Sequence, residues 1–153
     1  MPLPPDFAAE CLYTEDAWFV HDVELFPEES RLVARIDTTR LGHLVNAQRE
    51  LPNHPKHVPG AVVIQATGTI GHLYAVYALG LRATEGWGGF GTHIHTARFA
   101  KLGVIGPEVE VNCKALRARQ LRGTWFLRFA FEFRQNGDVI YASEQSAAWS
   151  RGG

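Results

Sequence analysis

Between Pro59 and Leu81 no proline interrupts a run in which most side chains are apolar. The run is longer than a normal strand and predicts a helix that starts at Gly60. Plotted at about 100° per residue, its apolar side chains surround the axis on nearly every side. One narrow stripe differs: Ala61, Gln65, Gly68 and His72, at spacings of four, three and four. A helix apolar all round must be buried, and at about 1.5 Å per residue this one is about 30 Å long. The fold therefore has to wrap something around it. Its length approaches the roughly 20 residues of a bilayer span. Gln65, Thr67, Thr69 and His72 lower that expectation, and no membrane partner is expected.

The wrapping is expected from the rest of the chain, which at 153 residues forms one domain and can bury most of its apolar surface. Ala17 to Phe26 and Arg31 to Thr38 read as strands joined by the turn PEES; in the second, Leu32, Ala34 and Ile36 alternate with Val33, Arg35 and Asp37. Thr39 to Lys56 reads as a polar, proline-containing loop with room for a short helical turn. GWGGFG, Gly86 to Gly91, reads as a glycine-rich connection into a strand over Thr92 to Phe99. Glu108 to Arg119, Thr124 to Arg134 and Asp138 to Trp149 read as three long antiparallel strands. Asn136-Gly137 between the last two is a type I′ hairpin signal. The fold class is α+β, an antiparallel sheet curled around one central helix. The N-terminal MPLPPDFAAE has neither a basic start nor an apolar signal core, and its prolines predict a loose arm over residues 1–12.

Charge and cysteine usage exclude several roles. A net charge of −1 gives no electrostatic reason to expect nucleic acid. Cys11 and Cys113 are too few for a disulfide framework and lack metal-ligand spacing, so a reducing, cytoplasmic compartment is expected. His93 and His95 lie two apart on a strand, but the sequence suggests no third ligand, and neither metal nor cofactor is expected.

The stretch HPKHVPGAVVIQA, beginning at His54, resembles the histidine loop and helix start of the hydroxyacyl-ACP dehydratases and of A-factor-synthase-type hotdog domains. AWFVHDVELF with LVARIDTT resembles the first two strands of the dehydratases, and ARFAKLGVIGPEVEVNCKALRAR their strand, turn and strand after the helix. The resemblance spans roughly Trp18 to Trp149 and implies the hotdog fold. It also implies a (3R)-hydroxyacyl-thioester dehydratase-like enzyme of fatty-acid or polyketide-type metabolism, acting on an acyl thioester of CoA or acyl carrier protein as a homodimer. One departure matters: Gln65 stands where the dehydratases carry a catalytic glutamate, five residues after the Pro-Gly glycine. The histidine loop is also shorter, so the family's catalytic histidine corresponds to His54 or to His57.

Thioester chemistry needs a base, donors for the carbonyl oxygen and, for dehydration, an acid for the leaving hydroxyl. His57 or His54 supplies the base. The helix N-terminus at Gly60 and Ala61 supplies unsatisfied N–H groups. Gln65 cannot transfer a proton at neutral pH, but it can position a water or a carbonyl. Hydrolysis by a thioesterase is thus one alternative, and a non-catalytic acyl-thioester-binding protein another. For hydrolysis, Gln65 with Thr67 or Thr69 is compatible in type, and Asp37 and Glu50 are the nearest carboxylates in sequence. Thr69 and His72 extend the polar stripe towards substrate, with burial as a hydrogen-bonded core histidine the plainer reading of His72. Arg98 and Lys101 can pair with the phosphates of a pantetheine carrier or form part of a solvated basic face.

Overall fold

Residues 1–152 are described by a computed structural model. Its elements are α1 (Phe7–Glu10), β1 (Asp22–Phe26), β2 (Arg31–Ile36), α2 (His43–Asn46), α3 (Gly60–Leu79), β3 (Trp87–Phe99), β4 (Val109–Leu121), β5 (Thr124–Gln135) and β6 (Asp138–Arg151). The strands form one six-stranded sheet in the order β1-β2-β4-β5-β6-β3, every neighbouring pair antiparallel. The sheet curls around α3, as the apolar run requires. Val62, Ala66, Ile70 and Leu73 are buried in the same core as Leu127, Phe129, Phe131 and Phe133 from alternate positions of β5. By length and composition α3 could cross a bilayer, but most of it lies inside this protein core. It ends at Gly80, which takes a left-handed φ of 71°, while the Leu81 N–H bonds the Ala75 carbonyl at 3.0 Å.

Two strands begin elsewhere than the sequence reading puts them. β1 starts at Asp22, not Ala17, because Glu15–Ala17 forms a 3₁₀ turn and the Trp18 indole folds back to donate to the Tyr13 carbonyl at 2.8 Å. The stretch GWGGFG is not a connection: from Trp87 it is the first half of β3, with Gly88, Gly89, Phe90 and Gly91 paired to Ser150, Trp149, Ala148 and Ala147. Its glycines disguise the strand, and at Gly89 the reason is space. A Cβ there would lie 2.3 Å from the Trp149 ring. Gly89→Ala is expected to destabilise by about 1–3 kcal/mol through overpacking, read as a lower midpoint in thermal unfolding.

Residues 1–12 are seated, not loose. Phe7 is fully buried, 4.9 Å from the Trp18 ring and edge-on to His72 at 5.8 Å. Asp6 accepts from Tyr77 Oη at 2.7 Å and from Arg82 Nη1 at 2.8 Å. Glu10, 2 % exposed, accepts from Thr84 Oγ1 at 2.7 Å and from Arg82 Nη1 at 3.4 Å. The prolines set only the first turn of the arm, and one phenylalanine with two carboxylates fixes the rest.

Burial pushes the Glu10 carboxyl up, but the Thr84 hydroxyl, the Thr84 and Ala83 N–H groups and Arg82 together hold it below the ordinary value. A carboxyl lowered on folding stabilises above its unfolded pKa, near 4.3, and loses that contribution as pH falls through the folded value. Stability is therefore expected to hold at neutral pH and to drop below about pH 4. Glu10→Gln should cost about 1–3 kcal/mol at pH 7 and flatten this acid limb in denaturant titrations.

Candidate active site

Two cavities meet α3, and the expected site residues divide between them. The first lies at the helix N-terminus, encloses about 450 Å³, and is lined by His57, Val58, Gly60, Phe99, Lys101 and Tyr141 among others. Pro59 is the N-cap residue and no side chain caps the helix. Val62 and Val63 donate to the Pro59 carbonyl at 3.1 and 3.2 Å. The N–H groups of Gly60 and Ala61 are left without a protein acceptor among the described residues, in the positive end of the helix dipole.

His57 is held beside these donors by its backbone. Its N–H donates to Gln48 Oε1 at 3.0 Å, and Gln48 Nε2 donates to its carbonyl at 2.9 Å. The next residue, Val58, donates to the Gly103 carbonyl at 2.8 Å. The His57 ring sets Nδ1 3.2 Å from the Pro55 carbonyl, which can only accept. Nδ1 therefore carries the proton, and Nε2 is the basic nitrogen. His54 is exposed, in a tight turn with Leu51, its ring 5.0 Å from that of His57. Lys101 Nζ lies 2.6 Å from the Asp138 carboxylate. Arg98 stands elsewhere, exposed in a groove with Asn112, Lys114, Glu132 and Glu144.

The second cavity, about 520 Å³, runs along the middle of α3 and collects Gln65, Thr69 and His72 with Thr67, Gln145 and Trp149. Trp87, Phe90, Phe129 and Phe131 supply apolar wall, and residues 9–13 of the N-terminal arm close one side. Gln65 Nε2 makes a long contact, 3.4 Å, to the Ala17 carbonyl. Burial lowers the His72 pKa, against the pull of the Glu10 carbonyl and carboxylate. His72 is thus a neutral imidazole between Phe7 and Trp149. Burial raises the thiols of Cys11 and Cys113, so neither is an activated nucleophile.

From Gly60 to His72 the helix rises about 18 Å, so one chain cannot bring His57 and His72 to the same reacting atom. Four groups escaped the sequence reading. Gln145 and Trp149 carried a signal, a polar group and an indole at inward positions of an alternating strand. Gln48 and Glu10 act from a loop and an arm where no periodicity marks a side chain.

No family model matches the sequence, and no curated protein matches it. Solved structures do. A thioesterase from Haemophilus influenzae superposes with a TM-score of 0.60 at 16% identity, covering 92% of this chain and 85% of that one. A mutant thioesterase from Pseudomonas aeruginosa gives 0.60 at 13%, over 89% and 84%. A hypothetical thioesterase from Streptococcus pneumoniae, solved with coenzyme A, gives 0.56 at 10%, over 85% of each chain. At these identities the likeness is one of backbone architecture: this chain has the hotdog fold, an antiparallel sheet wrapped around one long central helix.

Proposed function

We propose that the protein is an acyl-thioester hydrolase acting on acyl-CoA or acyl carrier protein. The observation that carries this reading is His57, with Nε2 basic, lining one cavity with an uncapped helix N-terminus whose Gly60 and Ala61 N–H groups lack acceptors. The thioester carbonyl oxygen sits on those N–H groups. His57 Nε2 takes a proton from water as the water oxygen bonds to the carbonyl carbon. The tetrahedral oxyanion is held by donors that need no reorganisation. On its collapse the C–S bond breaks, and the imidazolium returns the proton to the leaving thiolate. Lys101 at the cavity mouth suits a pantetheine phosphate once it leaves Asp138.

Dehydration is the weaker reading. It needs an acid where Gln65 offers only an amide, and the neighbours reported above bear the name thioesterase. Gln65 lines the other cavity of its own chain, so a hydrolase that also draws on it takes it from a second copy. Every residue of β3 after Trp87 is exposed, and so are Ala61, Ile64 and Gly68 on α3. Two copies joined edge to edge through β3 lay their helices side by side in opposite directions. The N-terminus of one helix then approaches the middle of the other, and Gln65 of the partner subunit orients the attacking water.

The test is turnover of a panel of acyl-CoA thioesters, with free thiol and enoyl absorbance followed in parallel. Thiol release alone is the expected outcome. Enoyl formation would restore the dehydratase reading, and binding with no turnover would make the protein a non-catalytic acyl-thioester binder.

A further inference from the structure

One corner of the sheet carries charge that the fold does not use. From Val111 to Phe131 the chain holds five lysines and arginines and no aspartate or glutamate. The rest holds ten against sixteen acidic residues, so a chain of net −1 divides into a +5 hairpin and a remainder of −6. Within the hairpin, Lys114 donates to the Glu29 carbonyl at 2.7 Å, and Arg128 pairs with Glu144 at 2.7 Å. Arg117, Arg119 and Arg122 are exposed and have no carboxylate partner among the described residues.

A bulge in β4 gathers them. Val109, Val111, Cys113 and Ala115 are buried at alternate positions, a pattern that would carry Arg117 and Arg119 to the inner face. At Leu116 the register slips by one residue, so that Arg117 lies opposite Arg128 and Arg119 opposite Phe126. Leu127 and Phe129 of β5 are buried, so Phe126 and Arg128 point outward, and the arginines facing them do the same. Leu121, two residues beyond Arg119, shares that face. Leu121 and Phe126 are 51% and 45% exposed among the arginines. Two arginines directly opposite one another on a ladder repel, and Glu144 answers only Arg128. A local conflict of this kind, built by a bulge, points to function and not to stability.

We infer that this outer face of the β4–β5 hairpin docks an acidic carrier protein that delivers the acyl thioester. Arg117, Arg119 and Arg122 meet its carboxylates, and Leu121 and Phe126 are covered at the centre of the contact. A broad two-stranded surface of arginine with exposed apolar side chains has the chemistry of a protein interface. The −6 remainder repels an acidic partner elsewhere and steers it to this corner. The position also fits the site. Arg119, Phe126, Ala148 and Phe90 are neighbours in one row across β4, β5, β6 and β3, which puts the arginine about 14 Å from the sheet edge. In the dimer proposed above, the Trp87 end of one β3, on the side of its hairpin tip, meets the Phe99 end of the other. Phe99 lines the His57 cavity, so a carrier seated on one copy stands beside the cavity of its partner. The inference rests on the hydrolase reading for its kinetic form and commits that reading to the carrier-bound thioester.

The experiment compares octanoyl-CoA with octanoyl-acyl carrier protein by initial rate of thiol release. Binding of unacylated acyl carrier protein is titrated in parallel by calorimetry, which needs no turnover. Wild type is expected to favour the carrier substrate by about tenfold or more in kcat/KM at low salt. That margin should shrink at about 0.3 M NaCl, where surface charges are screened. The double variant Arg117→Glu with Arg119→Glu should lower the carrier-to-CoA ratio about tenfold, through KM and not kcat. It sets a carboxylate opposite Arg128, which the hairpin accepts. Arg119→Lys, which keeps the charge, should hold most of the ratio. A wild type with no preference for the carrier substrate would overturn the inference and leave hydrolysis standing. So would a preference that survives the double variant. If neither thioester is cleaved, the hydrolase reading fails and the titration decides: wild-type binding that the double variant abolishes sustains the inference, and equal binding or none ends it.

Discussion

Replacing His57 with alanine is expected to lower kcat for thioester hydrolysis by about 10²–10⁴-fold, the usual contribution of a positioned general base. Stability should barely change, because the side chain is half exposed and the loop is pinned through backbone groups. Gln48 holds the His57 N–H and carbonyl, and Val58 bonds Gly103; none of these contacts involves the imidazole. His54→Ala serves as the control. Its ring is a neighbour of His57, but its turn is closed by backbone bonds to Leu51 alone. It should alter the rate several-fold at most. A His57→Ala variant that keeps wild-type kcat would remove the helix N-terminus from the chemistry and send the search to the second cavity. The loss of kcat should follow whichever histidine has its basic nitrogen over the Gly60 donors.

What could be read beforehand followed the strength of the periodic signals. The continuous apolar run from Gly60 allowed one solution, a helix buried on all sides, and that alone demanded a wrapping sheet. The alternation Leu127, Phe129, Phe131, Phe133 placed β5 against it, and Asn136-Gly137, with φ of 52° and 81°, placed the hairpin. The preceding hairpin turns on Arg122-Gly123, with φ of 52° and 80°, and arginine gives no such warning. The glycines of β3 read as a linker because their cause, the Trp149 ring, lies far away along the chain. The site divides in the same manner. His57 and Gly60 are adjacent to the helix start and visible as a motif. Gln65 and His72 are visible as a stripe. Their separation along the helix follows from its rise per residue, but the arm that brings Glu10 to the second cavity and Phe7 against His72 is a fact of tertiary packing.

On the dimer proposed above, wild type is expected to elute in gel filtration at twice the 17.0 kDa chain mass, and Ile94→Asp is expected to split it into monomers near that mass. β3 is a sheet edge of 13 residues with no lysine or proline, although exposed edges are commonly blunted by such residues. Along it Phe90, Ile94 and Phe99 are 66%, 52% and 57% exposed. In the proposed dimer a second copy covers these side chains and pairs the free edge. A carboxylate at Ile94 puts a charge into that seam from both copies at once. Activity should fall with the dimer, because a lone chain leaves Gln65 and His72 along the helix from its own His57. Subunit mixing tests this more sharply. His57→Ala and Gln65→Leu each lesion a different half of a shared site, so each homodimer is impaired. Unfolded together and refolded at equal amounts, half the dimers are mixed, and each mixed dimer has one intact site. About a quarter of wild-type activity should return. An unimpaired Gln65→Leu homodimer would put Gln65 outside the site, and no recovery from two impaired variants that each refold as dimers would put both residues in one chain's site. Recovery near a quarter would assign His57 and Gln65 to opposite subunits of one catalytic centre.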